Sequence, residues 1–268
     1  MITRSISAIG ALAIALSSAL PARARTYGRD EYGSGNWPSE LIERPLTLAE
    51  DLGQLDVPVA FNLTDSNLWK PLFIPARLAY GVNSDVTLAV THLVGFCLSG
   101  TTNGCPKLYN DVGLEGLIAV MPSGRLQAAL AVGTELVSIS DPFVASAVVG
   151  FDSRLVVGPL ALRLDPRLRI GVTQRDLGNK EFLTVPATLQ FQMTSSVALL
   201  AVLAVSGPLN PATGSFSNYY TVPLNFGFAY GTGDYDIGAS FTFLDLRGNV
   251  LPSATGARAG QAFASLRF

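Results

Sequence analysis

A β-hairpin pattern occupies residues 219–245, where positions 221–243 are TVPLNFGFAYGTGDYDIGASFTF. Every second residue from position 222 to position 230 is apolar or aromatic, and the residues between them are small or polar. After a turn at 231–234, the same alternation resumes and continues to position 243. Successive side chains of a strand point to opposite faces, so the stretch predicts two antiparallel strands with one apolar and one polar face.

The composition favours a lipid environment for that apolar face. Charged residues make up 14% of the chain, against about 25% in ordinary soluble domains, and the mean hydropathy is +0.36. A membrane-spanning helix needs about 20 predominantly apolar residues, whereas the best candidate, 197–205, has nine. Because lipid cannot hydrogen-bond to the backbone, a closed β-barrel is the remaining structure that can span a membrane.

The first residues have the features of a secretory signal peptide. Arg4 precedes an uncharged apolar run at 8–20, and Ala22-Arg23-Ala24 is a small-residue cleavage site. We expect residues 1–24 to be a cleaved signal peptide, residues 25–52 a flexible periplasmic segment, and residues 53–268 a transmembrane β-barrel. The formal net charge is −2 and no basic block is present, so nucleic acid is not expected as a partner.

Alternating segments predict an all-β fold, a closed antiparallel barrel of about twelve strands in an up-and-down meander. Two readings of residues 143–164 are open, one long strand or two short ones, and the count of twelve uses one. The short connections, at 83–85, 122–124, 165–166, 194–196 and 231–234, are expected in the periplasm, as in bacterial barrels. The expected strands are 55–63, 73–82, 86–96, 112–120, 125–139, 143–164, 167–175, 182–193, 197–205, 222–230, 235–243 and 257–268.

The leader, the amphipathic strands and the last strand together resemble a porin-like outer-membrane β-barrel of a Gram-negative bacterium. The last strand places Ala262, Ala264, Leu266 and Phe268 on its outward face. It is similar to the C-terminal signature by which such barrels are recognised. The resemblance implies an outer-membrane location, with lipid and the barrel-assembly machinery as partners.

Charged side chains within the strands are expected to face the barrel interior, because a charge facing lipid at mid-depth costs about 2–4 kcal/mol. They either line a pore that selects solutes by charge or form a salt-bridged, closed interior. The Arg-rich stretch 167–175 suggests anionic solutes. The pore-lining candidates are Arg77, Glu115, Arg125, Glu135, Arg163, Arg167, Arg169, Arg175 and Asp236.

Two smaller groups of residues also carry predictions. Cys97 and Cys105 lie in one polar segment and are expected to form a disulfide in an oxidising compartment, with free thiols as the alternative. Outward aromatic residues near strand ends are expected to form girdles at the lipid headgroups, with ordinary β-propensity as the alternative. The girdle candidates are Tyr80, Tyr220, Tyr230, Tyr235 and Phe268.

Three functions are compatible with the sequence. The first is a passive channel for small polar solutes, and the second is a closed barrel with a structural or surface-interaction role. The third is a lipid-modifying enzyme that uses His92, the single histidine, although the same-face neighbours Val90 and Val94 offer no nucleophile. We expect a non-enzymatic protein without a metal or cofactor.

Overall fold

The computed structural model describes residues 32–33, 35–64, 68–99, 110–248 and 256–268. One antiparallel sheet closes into a barrel where β15 pairs with β1, from Gln54 opposite Arg267 to Asn62 opposite Ala259. Its strands are β1 (Gly53–Asn62), β2 (Leu72–Ile74), β3 (Arg77–Asn83), β4 (Val86–Thr91), β5 (Phe96–Ser99), β6 (Val112–Met121), β7 (Leu126–Ser138), β8 (Val144–Val157), β9 (Leu160–Leu164), β10 (Arg167–Gly171), β11 (Phe182–Gln192), β12 (Val197–Pro208), β13 (Leu224–Gly231), β14 (Tyr235–Phe243) and β15 (Arg258–Arg267).

Helical structure is minor in the described residues. A four-residue helix, α1 (Phe216–Tyr219), lies in the connection before β13, and a single 3-10 turn spans Leu41–Glu43. Within the described ranges, no helix has both the length and the apolar character needed to cross a membrane.

The fifteen strands form twelve passes, because three of the passes are interrupted. β2 and β3 pair with β1 in a single continuous register, so they are two halves of one pass. In the same way, β9 and β10 pair in a single register with β8 on one side and with β11 on the other. β4 and β5 pair with β3 and β2 respectively, so they too form one pass. The prediction of a closed twelve-stranded antiparallel meander is confirmed.

One strand boundary differs from the prediction. Residues 143–164 do not form a single strand, because β8 ends at Val157, the chain turns at Gly158-Pro159, and β9 begins at Leu160. Gly158 has a φ of 58°, a left-handed conformation that glycine adopts without steric cost. The turn expected at 165–166 is therefore wrong, and those two residues interrupt the seventh pass instead.

Two prolines on neighbouring strands cause that interruption. Pro166 and Pro186 have no N–H group to donate to the ladder. The Asp165 N–H still donates to the Pro186 carbonyl at 3.3 Å, and the Phe151 N–H donates to the Pro166 carbonyl at 3.2 Å. Fewer hydrogen bonds join the strands at this point, but the residue pairing has the same register on both sides of it.

The two ends of the barrel differ in the length of their connections. At one end, five connections have two to four residues each, and we call this the turn end. At the other, which we call the loop end, six connections have five to fifteen residues. In outer-membrane barrels the short turns lie on the periplasmic side.

The alternation in sequence corresponds to an outer and an inner surface. In the opening hairpin, Phe226 and Phe228 are about half exposed, whereas Ala229 and Asp236 are buried in the interior. Aliphatic and aromatic side chains continue this outer surface around the ring, for example Leu130 and Leu199. Exposed apolar side chains on every side suit a barrel whose solvent is lipid.

Residues 35–52, which we call the inner segment, lie inside the turn end of the barrel. Trp37, Leu48, Ala49 and Leu52 form a buried cluster with two inward alanines of the wall, Ala79 on β3 and Ala89 on β4. Ile42 packs against Val156 of β8 and Ala161 of β9. These contacts correct the expectation for the second half of residues 25–52, which pack against the wall rather than hang free. The predicted signal peptide, 1–24, lies outside the described residues.

Candidate functional site: the barrel interior

The charged centre of the interior is built on the seventh pass, where alternate residues face inward. Arg163 pairs with Asp152 at 3.0 Å and with Asp165 at 2.7 Å. Arg167 pairs with Glu115 at 2.8 Å and with the other oxygen of Asp152 at 2.6 Å. Asp152 is 1% exposed, so a buried carboxylate joins the two guanidinium groups into one network.

A third arginine extends this network towards the loop end. Arg169 lies 3.8 Å from Glu135, and its guanidinium lies over the ring of Phe182 at 5.2 Å from the centroid. A cavity of about 240 Å³ adjoins these groups and is also lined by Thr184 and Val148. Polar, charged and aromatic groups thus border open space inside the barrel.

The network is close to electrical neutrality. Three arginines, Arg163, Arg167 and Arg169, are matched by four carboxylates on β6, β7, β8 and the seventh pass. Because every one of these guanidinium groups has a carboxylate within 4 Å, the arginine-rich strand does not present a row of free positive charges.

Not every pore-lining candidate belongs to this network. Arg77 is inward and pairs with Asp56 at 3.2 Å. Arg125 is exposed in the turn before β7, at the turn end of the barrel. Arg175 lies in the connection after β10, where it donates to Glu181 and lowers the pKa of that carboxyl below its ordinary value.

Asp236 lies at the turn end and joins the inner segment to the wall. Its carboxylate accepts hydrogen bonds from Arg44 of the inner segment, at 2.6 and 2.7 Å, and from Arg267 of β15. Burial lowers the pKa of the Arg44 guanidinium, and the hydrogen bonds that it donates to Asp236 oppose that shift. Arginine remains charged at neutral pH in such a site.

Sequence reasoning missed several residues of the interior. Asp152 and Arg154 have the inward parity of β8, but the uncertain division of residues 143–164 left that parity unassigned. Arg44 and Arg267 carry no pattern of their own in the sequence, since the partner that unites them, Asp236, is 192 residues from Arg44.

His92 has a structural environment in the bend between β4 and β5. Its Nδ1 lies 2.9 Å from an Asp111 oxygen that also accepts the backbone N–H groups of Leu93 and Val94. The ring packs edge-on against Phe96 at 4.7 Å. These contacts indicate that His92 is a structural residue, which holds the bend between β4 and β5.

The disulfide and the girdles stay predictions. Cys97 lies in β5, whereas Cys105 lies outside the described residues. Tyr80, Tyr230, Tyr235 and Phe268 are outward and exposed at the turn end. Tyr220 lies at the loop end, stacked on the α1 residue Phe216 and beneath the guanidinium of Arg247.

A second cavity, of about 440 Å³, lies at the loop end. The connections after β10 and β12 form it, with Arg169 and Phe182 at its inner side and Tyr219 of α1 among its outer residues. Both cavities are lined by Arg169 and Phe182, so the loop-end cavity lies next to the cavity beside the charged network. In the described part of the chain, no three His, Cys, Asp or Glu side chains gather as a metal site requires.

Comparisons with known proteins show a likeness in structure alone. No family model matches the sequence, and no curated protein matches it. The fold is similar to a NanC porin, with a TM-score of 0.55 and 11% identity over 79% of this chain and 98% of that one. It is also similar to a KdgM porin, with a TM-score of 0.54 and 8% identity over 80% of this chain and 99% of that one. The chain is therefore a closed antiparallel β-barrel of porin-like fold, and its apolar outer surface is the form in which such barrels span the outer membrane.

Proposed function

We propose that the protein is a passive channel for small polar solutes that enter from the loop end. The observation that carries this proposal is a pair of adjacent cavities, one at the loop end and one beside the charged network around Arg167, which share Arg169 and Phe182. Twelve strands about 4.8 Å apart and tilted by about 40° give a backbone diameter of roughly 24 Å, enough for a narrow passage between side chains.

The paired charges favour weak selectivity. One solved structure of similar fold is a KdgM porin in complex with disordered oligogalacturonate, an acidic oligosaccharide. In the present chain, Arg163 and Arg167 are each bound to two carboxylates, which offsets their attraction for anions. We therefore propose small, weakly charged or neutral solutes rather than polyanions.

The alternative is a closed barrel with a structural or surface-interaction role. It is favoured by the inner segment, which occupies part of the turn end. The third candidate, a lipid-modifying enzyme, loses support because the contacts of His92 are those of a bend.

Ion conductance across planar bilayers tests the channel. The purified protein, folded in detergent and checked by heat-dependent gel mobility, is inserted into a bilayer in 1 M KCl. We expect discrete current steps. If neither the full chain nor a variant lacking residues 35–47 carries current, the protein is not a channel.

A further inference from the structure

We propose that the inner segment is a movable plug at the turn end, hinged at Leu48–Leu52 and latched by Arg44. This inference rests on the proposed channel function, because a plug regulates only a barrel that conducts. It names residues 35–47 as the moving part.

The contacts of the inner segment reach most of the circumference of the barrel. On one side, the Thr47 hydroxyl donates to the Ser84 carbonyl at 2.8 Å. On another, the Leu41 N–H donates to the Gln192 side chain of β11 at 3.0 Å. With the apolar contacts on β8 and β9 and the ion pair on β14, the segment crosses the turn end instead of following one wall.

Arg44 is the centre of these contacts. Its guanidinium binds both oxygens of Asp236 and the Thr232 carbonyl of the wall. The same group donates to the Pro38 and Ser39 carbonyls of the inner segment itself. One side chain therefore fixes the fold of the segment and attaches it to β14 and the preceding turn.

Glycines of the wall make room for the segment. A Cβ on Gly81 of β3 would lie 1.9 Å from the Ala49 carbonyl oxygen. A Cβ on Gly231 would lie 2.8 Å from Nη2 of Arg44, and one on Gly233 would lie 3.0 Å from the Trp37 carbonyl oxygen. The wall is shaped to accept this segment at three separate positions.

Two charged side chains of the barrel wall bind the inner segment, and each also has a hydrogen-bond partner within the wall that remains when the inner segment is released. Asp236 retains Arg267, and Arg154, which donates to the Leu41 and Arg44 carbonyls, retains the side chain of Gln127. A released plug thus leaves Asp236 paired with a cation and Arg154 hydrogen-bonded to an amide oxygen, which limits the cost of removing a partner from a buried charge.

The end of the segment nearest β1 is fixed more firmly than the rest. The Asp51 N–H donates to the Gly81 carbonyl at 2.9 Å, and the Gly81 N–H donates to the Leu52 carbonyl at 3.0 Å. The Leu48 N–H donates to the Thr87 hydroxyl at 2.7 Å. The two bonds with Gly81 continue the sheet and the Thr87 hydroxyl holds Leu48, so Leu48–Leu52 stay with the wall and serve as the hinge.

Bilayer conductance of three variants tests the plug. The first lacks residues 35–47, the second is Arg44→Met, and the third is Gly81→Ala, whose new methyl group displaces the Ala49 carbonyl. Arg125→Met, an exposed arginine at the same end, is the control for the second variant. Gly116→Ala, whose Cβ would meet nothing closer than 3.6 Å, is the control for the third.

We expect the deletion to raise the single-channel conductance several-fold over the full chain. Arg44→Met removes the two hydrogen bonds to Asp236 and those to the Thr232, Pro38 and Ser39 carbonyls, so it should raise the frequency of openings at least about tenfold. Gly81→Ala should act in the same direction. Both control variants should match the full chain.

Equal conductance in the deletion variant and the full chain overturns the plug and leaves the channel standing. Absence of current in both, with heat-dependent mobility intact, overturns the channel itself. If the deletion variant does not fold, Arg44→Met decides the question, since openings as rare as in the full chain exclude the latch.

Discussion

The charge balance around Arg167 sets the ion selectivity that we expect. In Arg167→Gln, Glu115 and Asp152 lose a shared cation, and the charged network gains one net negative charge. For a backbone radius of roughly 12 Å and side chains about 6 Å long, that charge lies about 6 Å from an ion on the axis.

The size of the effect follows from Coulomb's law. At ~6 Å in water the interaction is about 0.7 kcal/mol, and screening at 0.1 M salt reduces it to about 0.4 kcal/mol. The concentration of cations near this charge rises about twofold and that of anions falls about twofold. The cation-to-anion permeability ratio should therefore rise about fourfold. At 1 M salt, where the screening length is about 3 Å, the rise should shrink to about 1.4-fold.

Reversal potentials across a KCl gradient measure this ratio. The full chain and the variant lacking residues 35–47 serve as parent proteins, with Arg125→Gln as the control because Arg125 lies in the exposed turn before β7, at the turn end. An unchanged ratio, or a shift towards anions, would refute the placement of Arg167 beside the ion path. A rise that does not weaken with salt would refute its electrostatic origin.

Three further predictions concern stability and assembly. Asp152→Asn should lower the free energy of unfolding in urea by about 3 kcal/mol, because two guanidinium groups lose a buried partner, and Asp165→Asn, at a more exposed position, should cost less. Phe268→Ala should reduce the yield of folded barrel in the outer membrane while refolding in detergent continues, if the terminal aromatic is a signal for assembly; equal yields would contradict that role. A thiol assay on the unfolded, unreduced protein should find no free Cys97 or Cys105, and two free thiols would exclude the disulfide.

The alternation of apolar and polar residues predicted most strands of the barrel wall, because one face of each strand meets an apolar exterior and the other meets the polar interior. In the opening hairpin, the register places Phe226 opposite Phe241 on the outer face and Asn225 opposite Thr242 on the inner face, as the pattern indicates. The pattern is local, so it survives without knowledge of the neighbouring strands.

Turn chemistry alone could not choose between two proline dipeptides. Gly158-Pro159 and Asp165-Pro166 are both typical of turns, and only five residues lie between them. The first becomes a turn because Gly158 takes a positive φ. The second stays within a pass because its neighbours on both sides supply ladder partners that the sequence does not reveal.

The inner segment could not be predicted, because nothing in it is periodic. Its fold depends on a latch between residues 192 positions apart and on apolar contacts with alanines of distant strands. A mixed stretch of Gly, Pro, Ser and charged residues looks the same in sequence whether it is a free tail or a fitted plug.

The misplaced turn also explains why the sequence suggested an anion channel. Parity places Arg163, Arg167 and Arg169 inside the barrel, but the partner of an inward charge depends on the register between strands. With the turn at Gly158, Asp152 on β8 reaches both Arg163 and Arg167. A row of arginines that looks free in one strand is therefore neutralised by carboxylates of β6, β7, β8 and its own pass, and the expected selectivity changes from anionic to weak.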